Sequence, residues 1–70
     1  MNSTDERILE LIKVRGKMTV PEIVNELYPN EPIWHRKYHR DYIWDRCNSL
    51  RLYRWLERTK DGNKTYWAMA

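Results

Sequence analysis

The imidazole and thiol side chains in this 70-residue sequence, which could ligate a metal or act as nucleophiles, are His35, His39 and Cys47. The histidines stand four residues apart, so on a helix they would share one face. A structural zinc site needs about four nitrogen or sulfur ligands, however, and Cys47 is the only cysteine. Cys47 also falls in the apolar phase of a helix, where a thiol behaves as a small hydrophobe. We therefore expect no metal, no cofactor and no enzymatic activity.

The basic charge is concentrated in the second half of the chain. Residues 1–30 carry four Lys and Arg against five Asp and Glu, whereas residues 31–70 carry nine against five. Cationic groups that neutralise phosphates release bound counterions, which favours association with nucleic acids. The charge distribution therefore favours a polyanionic partner.

A short segment at residues 34–40, Trp-His-Arg-Lys-Tyr-His-Arg, interleaves rings with cations. This pattern suits phosphate contact combined with stacking. The alternative is a solvated face whose rings, Trp34 and Tyr38, only pack on the body of the domain. We favour nucleic-acid contact, for which the candidate residues here are Arg36, Lys37, His39 and Arg40.

Two helices are predicted in the first half of the chain. Ser-Thr-Asp-Glu at residues 3–6 has the spacing of a capping box and predicts a helix over about residues 4–15. Thr-Val-Pro-Glu at residues 19–22 repeats the box and predicts a second helix over about residues 20–28. Between them, Met18 is expected in the core or in a short strand.

A third helix must cover three apolar residues at i, i+4 and i+7 spacing, which are Ile43, Cys47 and Leu50. An unbroken helix from residue 34 would turn charged residues of the preceding segment toward the core, at a high cost if they are unpaired. We therefore expect a break or an overhang, with Asp41 as the cap of a helix over about residues 42–53.

The C-terminal part predicts a β-hairpin over about residues 55–69. Its two halves are rich in β-branched and aromatic residues, and they are joined through Lys-Asp-Gly-Asn at residues 60–63. Asp-Gly between strand-like runs favours a type I′ turn, because both central residues then need positive φ. Residues 1–70 are thus expected to form a single α+β domain.

This order of elements resembles the winged helix-turn-helix domains of small transcription regulators from bacteria, archaea or their viruses. The resemblance rests on the apolar triplet of the third helix, on Trp-Leu at residues 55–56 and on the charged, Gly-containing segment at residues 58–64. The family often has Gly where this chain has Arg54, and its turn before the third helix is commonly shorter than residues 28–40. The resemblance implies three helices followed by a two-stranded wing.

The resemblance also implies a DNA contact surface, in which the third helix enters the major groove with its N-terminal half. The residues then expected near the bases are Asp41, Trp44, Asp45 and Asn48, flanked by Tyr42, Arg46 and Ser49. Asn48 suits adenine, Arg46 suits guanine or a phosphate, and Asp45 can accept from cytosine. The wing residues expected on the DNA backbone are Arg58, Lys60, Asn63 and Lys64.

The function expected from these features is binding of double-stranded DNA by a transcription regulator that works as a homodimer. The alternative is a winged-helix module for protein–protein interaction, with an exposed aromatic patch formed by Trp34, Tyr38, Tyr42 and Trp44. No small-molecule ligand is indicated. A single cysteine and the lack of a membrane-length apolar run favour a cytoplasmic protein.

Overall fold

Three helices and one antiparallel sheet of three strands form the α+β fold of this chain. The computed structural model describes residues 2–70, apart from the side chain of Ile33. In chain order the elements are α1 (Ser3–Arg15), β1 (Lys17–Met18), α2 (Val20–Leu27), α3 (Ile33–Leu52), β2 (Leu56–Asp61) and β3 (Lys64–Met69).

The first two helices form close to the predicted positions. At the start of α1 the cap is Asn2, whose Oδ1 accepts a hydrogen bond from the Asp5 N–H at 2.8 Å, so the predicted Ser3 cap is wrong by one residue. The capping box of α2 is confirmed, because Thr19 and Glu22 exchange side-chain and backbone hydrogen bonds. Local polar side chains therefore determine where both helices begin.

Helix α3 is continuous, so the predicted cap at Asp41 and the predicted start at residue 42 are wrong. The expected cost of burying charged residues does not arise, because the first half of α3 extends past the core as an overhang. There Arg36 Nη1 donates to Asn25 Oδ1 at 2.9 Å, and the His39 ring stacks on Tyr28 with centroids 3.9 Å apart. Arg36 and His39 therefore have partners on the preceding segment, although the Arg36 Nε is buried without a hydrogen-bond partner among the described residues.

The sheet has the strand order β1-β3-β2, with both pairs antiparallel. The prediction of a two-stranded wing is therefore wrong, because β1 adds a third strand to the sheet. In this strand Met18 lies opposite Trp67. Met18 is both a strand residue and a core residue. Its apolar side chain is buried beside Trp67, and the backbone of the short link between α1 and α2 gains ladder partners.

The hairpin between β2 and β3 is confirmed, but its turn is shifted by one residue. Asp61 pairs with Lys64, so the central residues are Gly62 and Asn63 rather than Asp61 and Gly62. Gly62 has a φ of +62°, whereas Asn63 does not have positive φ. Gly at the first central position with positive φ is the pattern of a type II′ turn.

The hydrophobic core lies between the helices and one face of the sheet. Trp67 on β3 is its largest side chain and is completely buried. All three apolar residues predicted to face inward from α3 are buried, namely Ile43, Cys47 and Leu50. The fold is compatible with a winged helix whose wing has three strands. Within residues 2–70, none of the helices combines the length and apolar character needed to cross a bilayer.

Candidate nucleic-acid interface

A groove of about 550 Å³ opens where three elements meet: the start of α2, the middle of α3 and the tip of the β2–β3 hairpin. Its lining residues are Thr19, Val20, Pro21, Arg40, Asp41, Trp44, Asn63, Lys64 and Thr65. Five of these were predicted near DNA from the sequence, namely Arg40, Asp41, Trp44, Asn63 and Lys64. The fold therefore brings residues of the predicted recognition helix and of the predicted wing to one surface.

Trp44 forms the rigid wall of this groove. Its ring meets the ring of Trp67 edge to face, with centroids 5.5 Å apart and planes at 83°. Trp67 is completely buried, whereas Trp44 keeps 38% of its surface exposed. An aromatic ring held on one side by the core presents its other side to a ligand with little loss of side-chain entropy.

Two cations line the groove, Arg40 from α3 and Lys64 from the hairpin. Both are exposed, and across residues 2–70 neither forms a side-chain hydrogen bond or an ion pair. An exposed cation without an internal partner keeps its charge available for an anion. The groove therefore offers two separate points of contact for a polyanion.

The start of α2 also lines the groove, but its positive end is already neutralised. Glu22 accepts hydrogen bonds from the backbone N–H of Thr19 at 2.8 Å and from the Thr19 hydroxyl at 2.9 Å. These hydrogen bonds lower the pKa of the Glu22 carboxyl, and the charge of Lys64 adds a smaller effect. A phosphate in the groove must therefore be held by side-chain cations rather than by this helix end.

On α3, residues at helical spacing extend the groove face in both directions from Trp44. Arg51 and Asn48 follow on the same side of the helix, and Lys37 precedes them. Asn48 Nδ2 donates to the Trp44 carbonyl at 3.0 Å, which leaves its Oδ1 as an acceptor. The second Nδ2 proton also stays available, so Asn48 keeps one donor and one acceptor for a bidentate contact with adenine.

The predicted wing cations of β2 lie on the inner face of the sheet. Arg58 is opposite Trp67 and Lys60 is opposite Thr65 in the ladder, so strand alternation places both on the face that carries Leu56. Near Leu56 this face packs against the helices, whereas Arg58 and Lys60 are exposed. Thr65, the partner of Lys60 in the ladder, lines the groove. Arg58 and Lys60 therefore extend the cationic surface from the groove along β2.

Several other predicted residues have partners within the chain. Arg46 is bound to Asp5 on α1 by two hydrogen bonds, at 2.8 and 2.6 Å. Arg36 is bound to Asn25, as described above, and His39 lies between the Tyr28 ring and the carboxylate of Glu31, 3.5 Å from its Nε2. The remaining predicted residues of α3 are exposed or half-buried on the sides away from Trp44, namely Tyr42, Asp45 and Ser49.

Sequence reasoning missed the contribution of α2 to this surface. Thr19 and Pro21 were recognised as helix-start residues, and nothing local places that start beside the hairpin tip. Arg51 and Thr65 were also missed, although Arg51 follows Trp44 at i+7 and could have been found from that spacing.

The thiol of Cys47 is buried in the core. Burial raises the pKa of the Cys47 thiol to about 12, so the sulfur is protonated at neutral pH and is a poor nucleophile or ligand. Across residues 2–70, no three His, Cys, Asp or Glu side chains are grouped so that they could hold a metal ion. The main chemical features of the groove are Arg40, Trp44 and Lys64.

No family model matches the chain, and neither a curated protein nor a solved structure matches it.

Proposed function

We propose that this chain binds double-stranded DNA through the groove between α2, α3 and the hairpin tip, and that it acts as a transcription regulator. The observation that carries the proposal is that Arg40 from α3, Lys64 from the hairpin and the exposed ring of Trp44 line the same groove. In this proposal α3 lies in the major groove, and the hairpin tip follows the adjacent phosphates.

The distribution of charge supports this assignment. The groove and the neighbouring inner face of β2 carry four exposed cations, which are Arg40, Arg58, Lys60 and Lys64. Four phosphate contacts predict that the logarithm of the binding constant falls with the logarithm of the salt concentration with a slope of about −3.6. Affinity should then fall about 100-fold between about 50 and 200 mM salt.

The test is fluorescence anisotropy of labelled duplexes of random sequence, titrated with the protein at several salt concentrations. Arg40→Ala and Lys64→Ala should each weaken binding to all duplexes and reduce the salt slope by about 0.9. The matched control is Lys13→Ala, which removes the same charge from an exposed position of α1 that does not line the groove. Its slope should equal that of the unmodified protein.

Two results would contradict the proposal. The first is the absence of binding to any duplex at about 50 mM salt, where phosphate contacts are strong. The second is an equal loss of affinity for Arg40→Ala, Lys64→Ala and Lys13→Ala, because binding would then follow net charge and not the groove. Selection of duplexes from a random pool would next identify the preferred base sequence.

A further inference from the structure

Three exposed aromatic residues form a stripe along the overhang of α3. Trp34, Tyr38 and Tyr42 follow one another at i, i+4 and i+8, and their surfaces are 75%, 77% and 40% exposed. Exposed rings in such a continuous row are unusual on a surface that only faces water. The fourth ring of the predicted patch, Trp44, lies about 200° further around the helix than Tyr42 and belongs to the groove.

On the border of this aromatic stripe that faces the groove, the charges without an internal partner are arranged in one direction. Lys37 flanks its N-terminal end, whereas Asp41 and Asp45 flank its C-terminal end. All three side chains are exposed, and within residues 2–70 none of them forms an ion pair. The stripe therefore has a positive end and a negative end, both without partners in the chain.

We propose that the aromatic stripe binds the same stripe of a second copy of this chain, with the two α3 helices antiparallel. A two-fold axis near residue 40 would place Tyr38 of each copy beside Tyr42 of the other. Lys37 would then lie about 3 Å along the axis from both Asp41 and Asp45 of the second copy. A parallel arrangement would instead oppose like charges, so the charge pattern favours the antiparallel, two-fold symmetric pair.

The area of the stripe predicts a weak dimer. Aromatic side chains bury about 150–250 Å² each, so the exposed parts of these three rings amount to roughly 400 Å² per copy. The pair would bury roughly 800 Å² from the rings, about half of a standard interface. Self-association should thus appear at high protein concentration and is expected to be stronger where two copies are held close together.

This surface adjoins the proposed DNA site at Asp41, which lines the groove and also flanks the stripe. The groove is bordered by Arg40 and Trp44 on one side of α3, whereas the stripe lies on another side of the same helix. The dimer proposal does not depend on the proposed function, because it can be tested without DNA. If both proposals hold, the preferred duplex should contain two symmetric half-sites.

The test is sedimentation equilibrium without DNA, up to a protein concentration of about 1 mM, where interactions of roughly 4 kcal/mol become visible. Tyr38→Ala should weaken self-association by about tenfold or more, as expected for a central aromatic contact. The matched control is Val14→Ala, which removes an apolar side chain that is equally exposed, at 78%, on α1. This control should associate like the unmodified protein.

Charge reversal tests the antiparallel arrangement. Lys37→Glu makes the stripe wholly acidic, and Asp41→Lys with Asp45→Lys makes it wholly basic, so neither variant should self-associate. A mixture of the two should associate, because each acidic stripe then faces a basic one. Thermal unfolding confirms that both variants, whose changed residues are exposed, remain folded.

Three outcomes would overturn the proposal. One is a monomer at all concentrations, which would leave the stripe to a partner of different sequence. Another is a dimer that Tyr38→Ala does not weaken, which would place the interface elsewhere. The third is failure of the two charge-reversed variants to associate when mixed.

Discussion

Arg46 on α3 and Asp5 on α1 form a two-pronged ion pair, in which Nε donates to Oδ1 at 2.8 Å and Nη2 donates to Oδ2 at 2.6 Å. The Asp5 carboxylate is almost completely buried, whereas 29% of the Arg46 side chain stays exposed. The hydrogen bonds to Asp5 raise the pKa of the Arg46 guanidinium. The pair joins the first turn of α1 to the middle of α3 across 41 residues of sequence.

The unequal burial of this pair predicts unequal effects of substitution. Arg46→Ala leaves a buried carboxylate without a partner and should lower the free energy of unfolding by about 3–5 kcal/mol. Asp5→Ala leaves a guanidinium that water can reach, so its effect should be smaller. Urea denaturation of both single variants and of the double variant measures the coupling. Equal losses for the two single variants would contradict this account.

Arg54 occupies a position that favours glycine, because its φ is +65°. Its N–H donates to the Arg51 carbonyl and the N–H of Trp55 donates to the Leu50 carbonyl, which is the Schellman pattern at the end of α3. Arg54→Gly should therefore stabilise the fold by up to about 1 kcal/mol, or roughly 4–8 °C in Tm. Arg54→Ala removes the charge but keeps the Cβ atom, so a comparable gain in that variant would refute the conformational explanation.

The cap of α2 predicts a dependence of stability on pH. Because the hydrogen bonds from Thr19 lower the pKa of folded Glu22, this residue stabilises the fold fully above its unfolded pKa of about 4.3. The contribution is lost as the pH falls through the lowered folded value. Glu22→Gln should thus be less stable than the unmodified protein at neutral pH, and the difference should shrink in acid. A difference that is constant with pH in parallel thermal unfolding experiments would exclude this role.

Asp41 is the acidic residue that lines the proposed DNA groove. A carboxylate beside phosphates weakens binding in general and can still accept a hydrogen bond from cytosine. Asp41→Asn should therefore raise affinity for random duplexes by several-fold, as expected for removal of about 1 kcal/mol of repulsion, and reduce discrimination between sequences. Anisotropy titrations on random and selected duplexes measure both effects. The control is Asp45→Asn, at an exposed position of α3 that does not line the groove, and equal gains in both variants would argue against a specific role for Asp41.

The parts of the fold that local chemistry determines were predictable from the sequence. The capping box at Thr19 determines where α2 begins, and the spacing of Ile43, Cys47 and Leu50 identifies the buried side of α3. The Gly62 region predicts the hairpin, although the turn lies one residue later than expected. In each case the residues that determine the structure are neighbours along the chain.

The parts that depend on distant residues were not predictable. The continuity of α3 depends on partners such as Asn25 and Tyr28, which sequence alone does not place beside it. For the same reason Arg46 was predicted to face DNA, although the fold places Asp5 within hydrogen-bonding distance. The groove itself exists because the start of α2 meets the hairpin tip, a tertiary contact with no local signal.

The central position of β3 in the sheet has a consequence for the order in which the structure can be completed. β3 pairs with both β1 and β2 and supplies Trp67, the largest buried side chain, yet it is the last strand along the chain. A growing polypeptide that ends at Gly62 contains the residues of all three helices but lacks β3. Without β3, the strands β1 and β2 have no common partner, and the core lacks the Trp67 side chain. The nascent chain must therefore leave apolar helix faces uncovered until residues 64–69 have been synthesised, which makes acquisition of the native state a late, cooperative event.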